Sequence, residues 1–81
     1  MTFLFSVSVI LDEQKHDYKI YKLKLVTSIY KAKLISSTVE KPIKEITFWK
    51  GKGGWETSLR SKYAKRLAET LGEHIEGLKN E

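Results

Sequence analysis

Residues 61–78 read S-K-Y-A-K-R-L-A-E-T-L-G-E-H-I-E-G-L. Apolar residues recur at Ala64, Leu67, Ala68, Leu71, Ile75 and Leu78, at offsets of three and four that gather on one stripe of a 3.6-residue helix. The spacing predicts a helix over residues 58–78, with Ser58 or Ser61 able to cap its start and Gly77 suited to its C-terminal cap. Ala64, Ala68 and Gly72 fall at spacing four, so the helix backbone can come close to whatever it covers. That role would account for Gly72, since a glycine costs about 1 kcal/mol against alanine inside a helix.

Everything before the helix reads as strand and turn. Residues 2–11 alternate, with Phe3, Phe5, Val7 and Val9 expected on one face and Leu4, Ser6, Ser8 and Ile10 on the other. Residues 12–17 (D-E-Q-K-H-D) are wholly polar and lack Asn-Gly or Asp-Gly, which predicts a hairpin loop longer than two residues. Residues 18–26 form the second expected strand, with Tyr21, Leu23 and Leu25 inward and Lys22 and Lys24 outward. A Thr27-Ser28 turn leads to the third strand, residues 29–35, with Tyr30, Ala32 and Leu34 inward and Lys31 and Lys33 outward. After a polar loop ending at Pro42, residues 43–50 give a fourth strand, with Ile46 and Phe48 on one side and Thr47 and Trp49 on the other. Three glycines in residues 51–54 mark a turn, and Trp55 and Glu56 are placed on a possible short fifth arm.

This order, with short polar connections, implies an α+β fold: a four-stranded antiparallel meander with the C-terminal helix on one face. The lengths agree, since about 17 helical residues span ~25 Å and strands of seven to nine residues span ~23–30 Å. Eighty-one residues make one domain, residues 1–81, divided into strands and turns over 1–57 and helix over 58–78. In the order of its elements the chain resembles the small four-strand-plus-helix domains of single-stranded-DNA-binding transcriptional coactivators. None of that family's sequence patterns is found, so the resemblance implies a fold order and transfers no residue role.

There is no cysteine, which excludes a disulfide framework and a thiolate metal site. The longest apolar run, residues 3–11, is short of the ~20 residues that span a bilayer and has no basic leader, so a cytoplasmic location without membrane contact is expected. His16 and His74 lack a second ligand at metal-binding spacing, and no nucleophile stands beside an orienting base, so neither metal, cofactor nor catalysis is expected. Gly51, Lys52, Gly53 and Gly54 lack the spacing of a phosphate-binding P-loop and read as a turn.

The net charge of +5 is unevenly spread. Residues 15–66 hold fourteen Lys and Arg against four acidic residues, while both ends are acidic. Such a field suits an acidic partner, or a soluble surface whose ends neutralise its middle. Two basic groups stand out. Lys22, Lys24, Lys31 and Lys33 are expected on one outer sheet face, as a solubilising surface, as partners of Glu40 and Glu45, or as a phosphate-binding surface. Trp49 and Trp55 bracket the glycine turn with Lys50 and Lys52 between them, either as a cross-strand pair or as stacking platforms. Arg60, Lys62, Lys65 and Arg66 crowd the helix start, where the helix dipole disfavours cations, so tertiary partners such as Glu56 or a bound acidic partner are expected there.

The first expectation is a non-enzymatic domain that binds a protein partner or a second copy of itself, because apolar residues occupy both faces of the first strand. The alternative is nucleic-acid binding by the basic sheet face and the Trp49–Trp55 hairpin. In either reading the best candidate location is the helix start, placed beside that hairpin.

Overall fold

The computed structural model describes residues 2–23 and 29–79. Five antiparallel strands lie side by side in chain order: β1 (Thr2–Leu11), β2 (Gln14–Lys22), β3 (Ile29–Ser37), β4 (Glu45–Gly51) and β5 (Gly54–Thr57). A single helix, α1 (Lys62–Lys79), covers one face. The α+β meander is as expected, and the arm near Trp55 is a fifth strand, laddered to β4 from Phe48↔Thr57 to Gly51↔Gly54. Lys24 and the Thr27-Ser28 turn lie outside the described residues.

The helix starts where its cap allows. Ser61 Oγ accepts the Ala64 N–H at 3.0 Å, satisfying one of the free donors of the first turn. Ala64, Leu67, Ala68, Leu71 and Ile75 are 0–3% exposed. Leu78, on the same stripe, is 53% exposed and lines an open cleft with Phe5, Lys22, Tyr30 and Ile75. Gly77 sits inside the last turn and its φ is not positive, so it is not the left-handed cap the sequence suggested. Opposite the stripe stand Val9, Leu11, Tyr18, Ile20, Tyr30, Ala32, Ile46, Phe48 and Trp55, all buried. Tyr30 stacks on Phe48 at 5.8 Å, and both rings tilt against Trp55 at 5.8 and 5.7 Å. Each large apolar side chain buried this way contributes roughly 1.5–3 kcal/mol.

The first hairpin departs from expectation. Its turn is two residues, Asp12 and Glu13, with φ of 50° and 63°, and Leu11 pairs directly with Gln14. Positive φ at both positions is the backbone of a type I′ turn, which glycine and asparagine usually supply. Here Asp12 is held from outside by Arg66 of α1, with Nη1 to Oδ1 at 2.7 Å. The polar residues 14–17 are then free to be strand, because hydroxyls on the neighbouring strands and on Thr38, just past β3, satisfy them. Thr38 Oγ1 bonds Gln14 and Lys15, Ser37 Oγ meets His16, and Ser8 and Ser36 donate to Asp17.

A bulge changes the facing of β1. Phe3 pairs with Tyr21 and Phe5 pairs with Ile20, so Leu4 is an extra residue. Phe5, Val7 and Val9 face the helix as expected, but Phe3 is turned to the opposite face. The facing of β2 is inverted with respect to expectation. His16, Tyr18 and Ile20 are the buried set, which puts Lys19 and Tyr21 on the outer face and Lys22 on the helix side.

Candidate functional site

The sheet face away from α1 carries no covering element among the described residues. Ladder partners share a face, so the register fixes what stands there. One row across the sheet runs Phe3, Tyr21, Lys31, Thr47. The next runs Ser6, Lys19, Lys33, Glu45, and on the other side of the first come Ile29, Trp49 and Glu56. Three aromatic side chains and three lysines therefore alternate over this face, with Lys15 and the 70%-exposed Ile10 at its end.

Lys19 and Lys33 lie directly opposite each other, an arrangement that like charges disfavour. Lys33 relieves it by reaching diagonally: its Nζ lies 5.5 Å from the centre of the Tyr21 ring. Phe3 closes on the same ring edge-on, at 5.6 Å and 65°. Lys31 makes an ion pair with Glu45 at 3.6 Å, one of the two partners expected for the lysines. The Trp49 Nε1–H donates to Glu56 Oε2 at 3.0 Å, leaving the indole ring half-buried on the surface. Hydrogen bonds from Ser8 and Ser36 hold the Asp17 carboxyl below its ordinary range, so it stays ionised. The face is thus a mixed one, in which lysines and rings alternate and each carboxylate has a partner.

The expected site residues are dispersed. Lys31, Lys33 and Trp49 belong to this face. Lys22 does not: it lies on the helix side, in a cleft with Leu4, Phe5, Tyr30, Ile75 and Leu78. Lys24 lies outside the described residues. Trp49 and Trp55 do not meet, because Trp49 pairs with Glu56 and Trp55 with Lys50, which sets the indoles on opposite faces. Trp55 is 8% exposed and belongs to the core. Its Nε1–H donates to Glu76 Oε1 at 3.2 Å, and Lys50 pairs with that same carboxylate while lying 5.5 Å from the indole. Lys52 is exposed in the turn.

The helix start and the tryptophan hairpin are also separate. The hairpin packs against the C-terminal half of α1, at Gly72 and Glu76. The helix start lies instead by the β1–β2 turn, where Arg66 reaches Asp12 and Tyr63 reaches His16. Glu56 is occupied by Trp49 and does not serve the helix start. Arg60, Lys62 and Lys65 are exposed and make no ion pair among the described residues.

His16 is 1% exposed and both ring nitrogens are bonded, Nδ1 to Ser37 Oγ at 2.7 Å and Nε2 to the Tyr63 hydroxyl. Hydroxyls can donate or accept, so either tautomer is satisfied. The network joins the sheet to the first turn of α1. Among the described residues no three His, Asp or Glu side chains are grouped to hold a metal ion, and no helix is long and apolar enough to cross a membrane.

The sequence reading missed Phe3, Lys15, Lys19 and Tyr21. The signal was present, since Tyr18 and Ile20 alternate with Lys19 and Tyr21, but residues 21–25 offered a competing alternation of opposite phase. Compared with protein-family models, curated proteins and solved structures, the chain shows no significant match.

Proposed function

We propose that this domain is a binding module rather than a catalyst, and that its open sheet face takes single-stranded nucleic acid. The observation that carries the reading is the Lys33–Tyr21–Phe3 cluster, an aromatic ring set among ammonium groups on an uncovered sheet. Bases stack on such rings for about 1–3 kcal/mol each, whatever their identity, while lysines neutralise the phosphates between them. Trp49, two strands from Tyr21 and about 10 Å across the sheet, offers a second ring. The tryptophan hairpin of the sequence reading is replaced here by Phe3, Tyr21 and Trp49, with Lys15, Lys19, Lys31 and Lys33 as the charges.

The test is a titration of tryptophan emission with a single-stranded oligonucleotide at two salt concentrations. Trp55 is buried, so a change in emission reports mainly on Trp49. Quenching is expected, with a log–log salt slope of up to about −3 if all four lysines meet phosphates. Tyr21→Ala is expected to weaken binding roughly tenfold or more. Emission unchanged by oligonucleotide at low salt overturns the reading.

A further inference from the structure

The strand β1 is the long edge of the sheet, and its ten residues, TFLFSVSVIL, contain neither a charge nor a proline. Edge strands are ordinarily blunted by Lys, by Pro, by shortness or by cover, because their unpaired backbone groups invite another strand. The opposite edge, β5, is four residues long. In a chain that is 31% charged and carries +5, an uncharged ten-residue edge is conspicuous. Among the described residues, no backbone hydrogen bond reaches β1 except from β2.

We propose that β1 is a homodimer interface, on which the β1 of a second copy pairs antiparallel about a twofold axis at Val7, joining the two sheets into one. The bulge selects that register. With Leu4 as the extra residue, Thr2, Phe3, Phe5 and Ser6 are the ladder positions before Val7, and Ser8, Val9, Ile10 and Leu11 are those after it. An axis at Val7 therefore uses the whole strand, whereas an axis at Ser6 or Ser8 leaves one end unpaired. It sets Ser6 opposite the partner's Ser8, Phe5 opposite the partner's Val9 and Phe3 opposite the partner's Ile10.

Every one of these pairs shares a face: residues 5–9, F-S-V-S-V, alternate alike in both directions from Val7, and the bulge at Leu4 brings Phe3 onto the face of Ile10. Phe3 and Ile10, 54% and 70% exposed and on the same outer face, cover each other twice across the axis. This is the self-complementarity that a twofold interface requires. Two chains of charge +5 repel, and the uncharged strand is where their approach costs least. The inference stands on the edge strand alone and does not depend on what the outer face binds.

The chain has no cysteine, so an introduced pair reports cleanly. Phe3→Cys and Ile10→Cys proteins are mixed in equal amounts and oxidised, and the mixed disulfide is expected to exceed each self-disulfide by well over the twofold excess that random pairing gives, whereas a statistical mixture counts against the register. Sedimentation of the unmodified chain across roughly 1–100 μM, the range of weak homodimers, is expected to show a species of twice the monomer mass. Ile10→Lys, at a position already exposed, is expected to raise the dissociation constant at least tenfold with an unchanged far-ultraviolet circular dichroism spectrum. A monomer throughout that range, or a dimer indifferent to Ile10→Lys, overturns the proposal. No nucleic acid enters these measurements, so their failure is distinct from failure of the binding reading.

Discussion

A Cβ placed on Gly72 of α1 would stand 2.1 Å from Cδ2 and Cε2 of Trp55 on β5. Helix and fifth strand are in contact with no room for a methyl group, and the atoms in the way belong to a rigid ring buried against Tyr30 and Phe48. The small residues Ala64, Ala68 and Gly72 therefore allow the helix its close approach, and Trp55 fills the space beneath it. The indole is fixed further by its bond to Glu76, one helical turn beyond Gly72.

Gly72→Ala should destabilise the domain although alanine is the better helix former. The gain of about 1 kcal/mol in propensity is outweighed by overpacking against the indole, for a net loss of roughly 1–2 kcal/mol and a fall in Tm of about 5–15 °C. Gly77→Ala is the control. It is also helical but meets nothing within 4 Å. Thermal unfolding should show it neutral or stabilising by up to about 1 kcal/mol.

The buried His16 network should matter to stability out of proportion to its size. Tyr63→Phe leaves the ring's Nε2 without its hydroxyl and should cost about 1–2 kcal/mol by urea unfolding. His16→Ala removes a buried side chain and takes a partner from both Tyr63 and Ser37, although Ser37 Oγ still accepts the Val39 N–H at 3.0 Å, for about 2–3 kcal/mol. Lys65→Ala, on the exposed side of the same helix turn, should change stability by less than about 0.5 kcal/mol.

Stability should fall at alkaline pH. Burial, with a lesser contribution from Tyr63, pushes the Tyr18 hydroxyl up to about 12, and that hydroxyl donates to the Ile43 carbonyl at 2.7 Å. The unfolded chain gives up this proton near its ordinary value of 10, while the folded chain keeps it to about 12. The unfolded state thus binds fewer protons across that window, and stability declines as pH rises from 10 to 12. Tyr18→Phe should flatten the slope there in pH-dependent urea unfolding.

The helix and its small-residue row were legible because a 3.6-residue period over five turns has few other readings. Alternation in β3 and β4 placed Tyr30, Lys31, Ala32, Lys33, Ile46 and Phe48 correctly for the same reason. What the sequence concealed were the events that reset phase: a bulge in β3 between Leu34 and Ser36, and two that decide the facing of β1 and β2. One is the bulge at Leu4, which no glycine or proline marks. The other is the Asp12-Glu13 turn, whose left-handed backbone is supported by Arg66, fifty-four residues away. A shift of one residue exchanges the two faces, so Lys22 and Tyr21 trade places and the candidate face changes with them. Trp49 and Trp55 looked alike in sequence; only the β4–β5 register separates a surface ring from a core one.

The reading of the open sheet as a nucleic-acid surface is tested most directly by mapping amide shifts in an NMR titration with a single-stranded oligonucleotide at low salt. The largest shifts should gather on Phe3, Lys19, Tyr21, Lys31, Lys33 and Trp49, with the Trp49 side-chain N–H among them and the helix residues Lys62, Lys65 and Glu69 unmoved. Shifts centred on the helix start, or none at saturating oligonucleotide, would contradict the account.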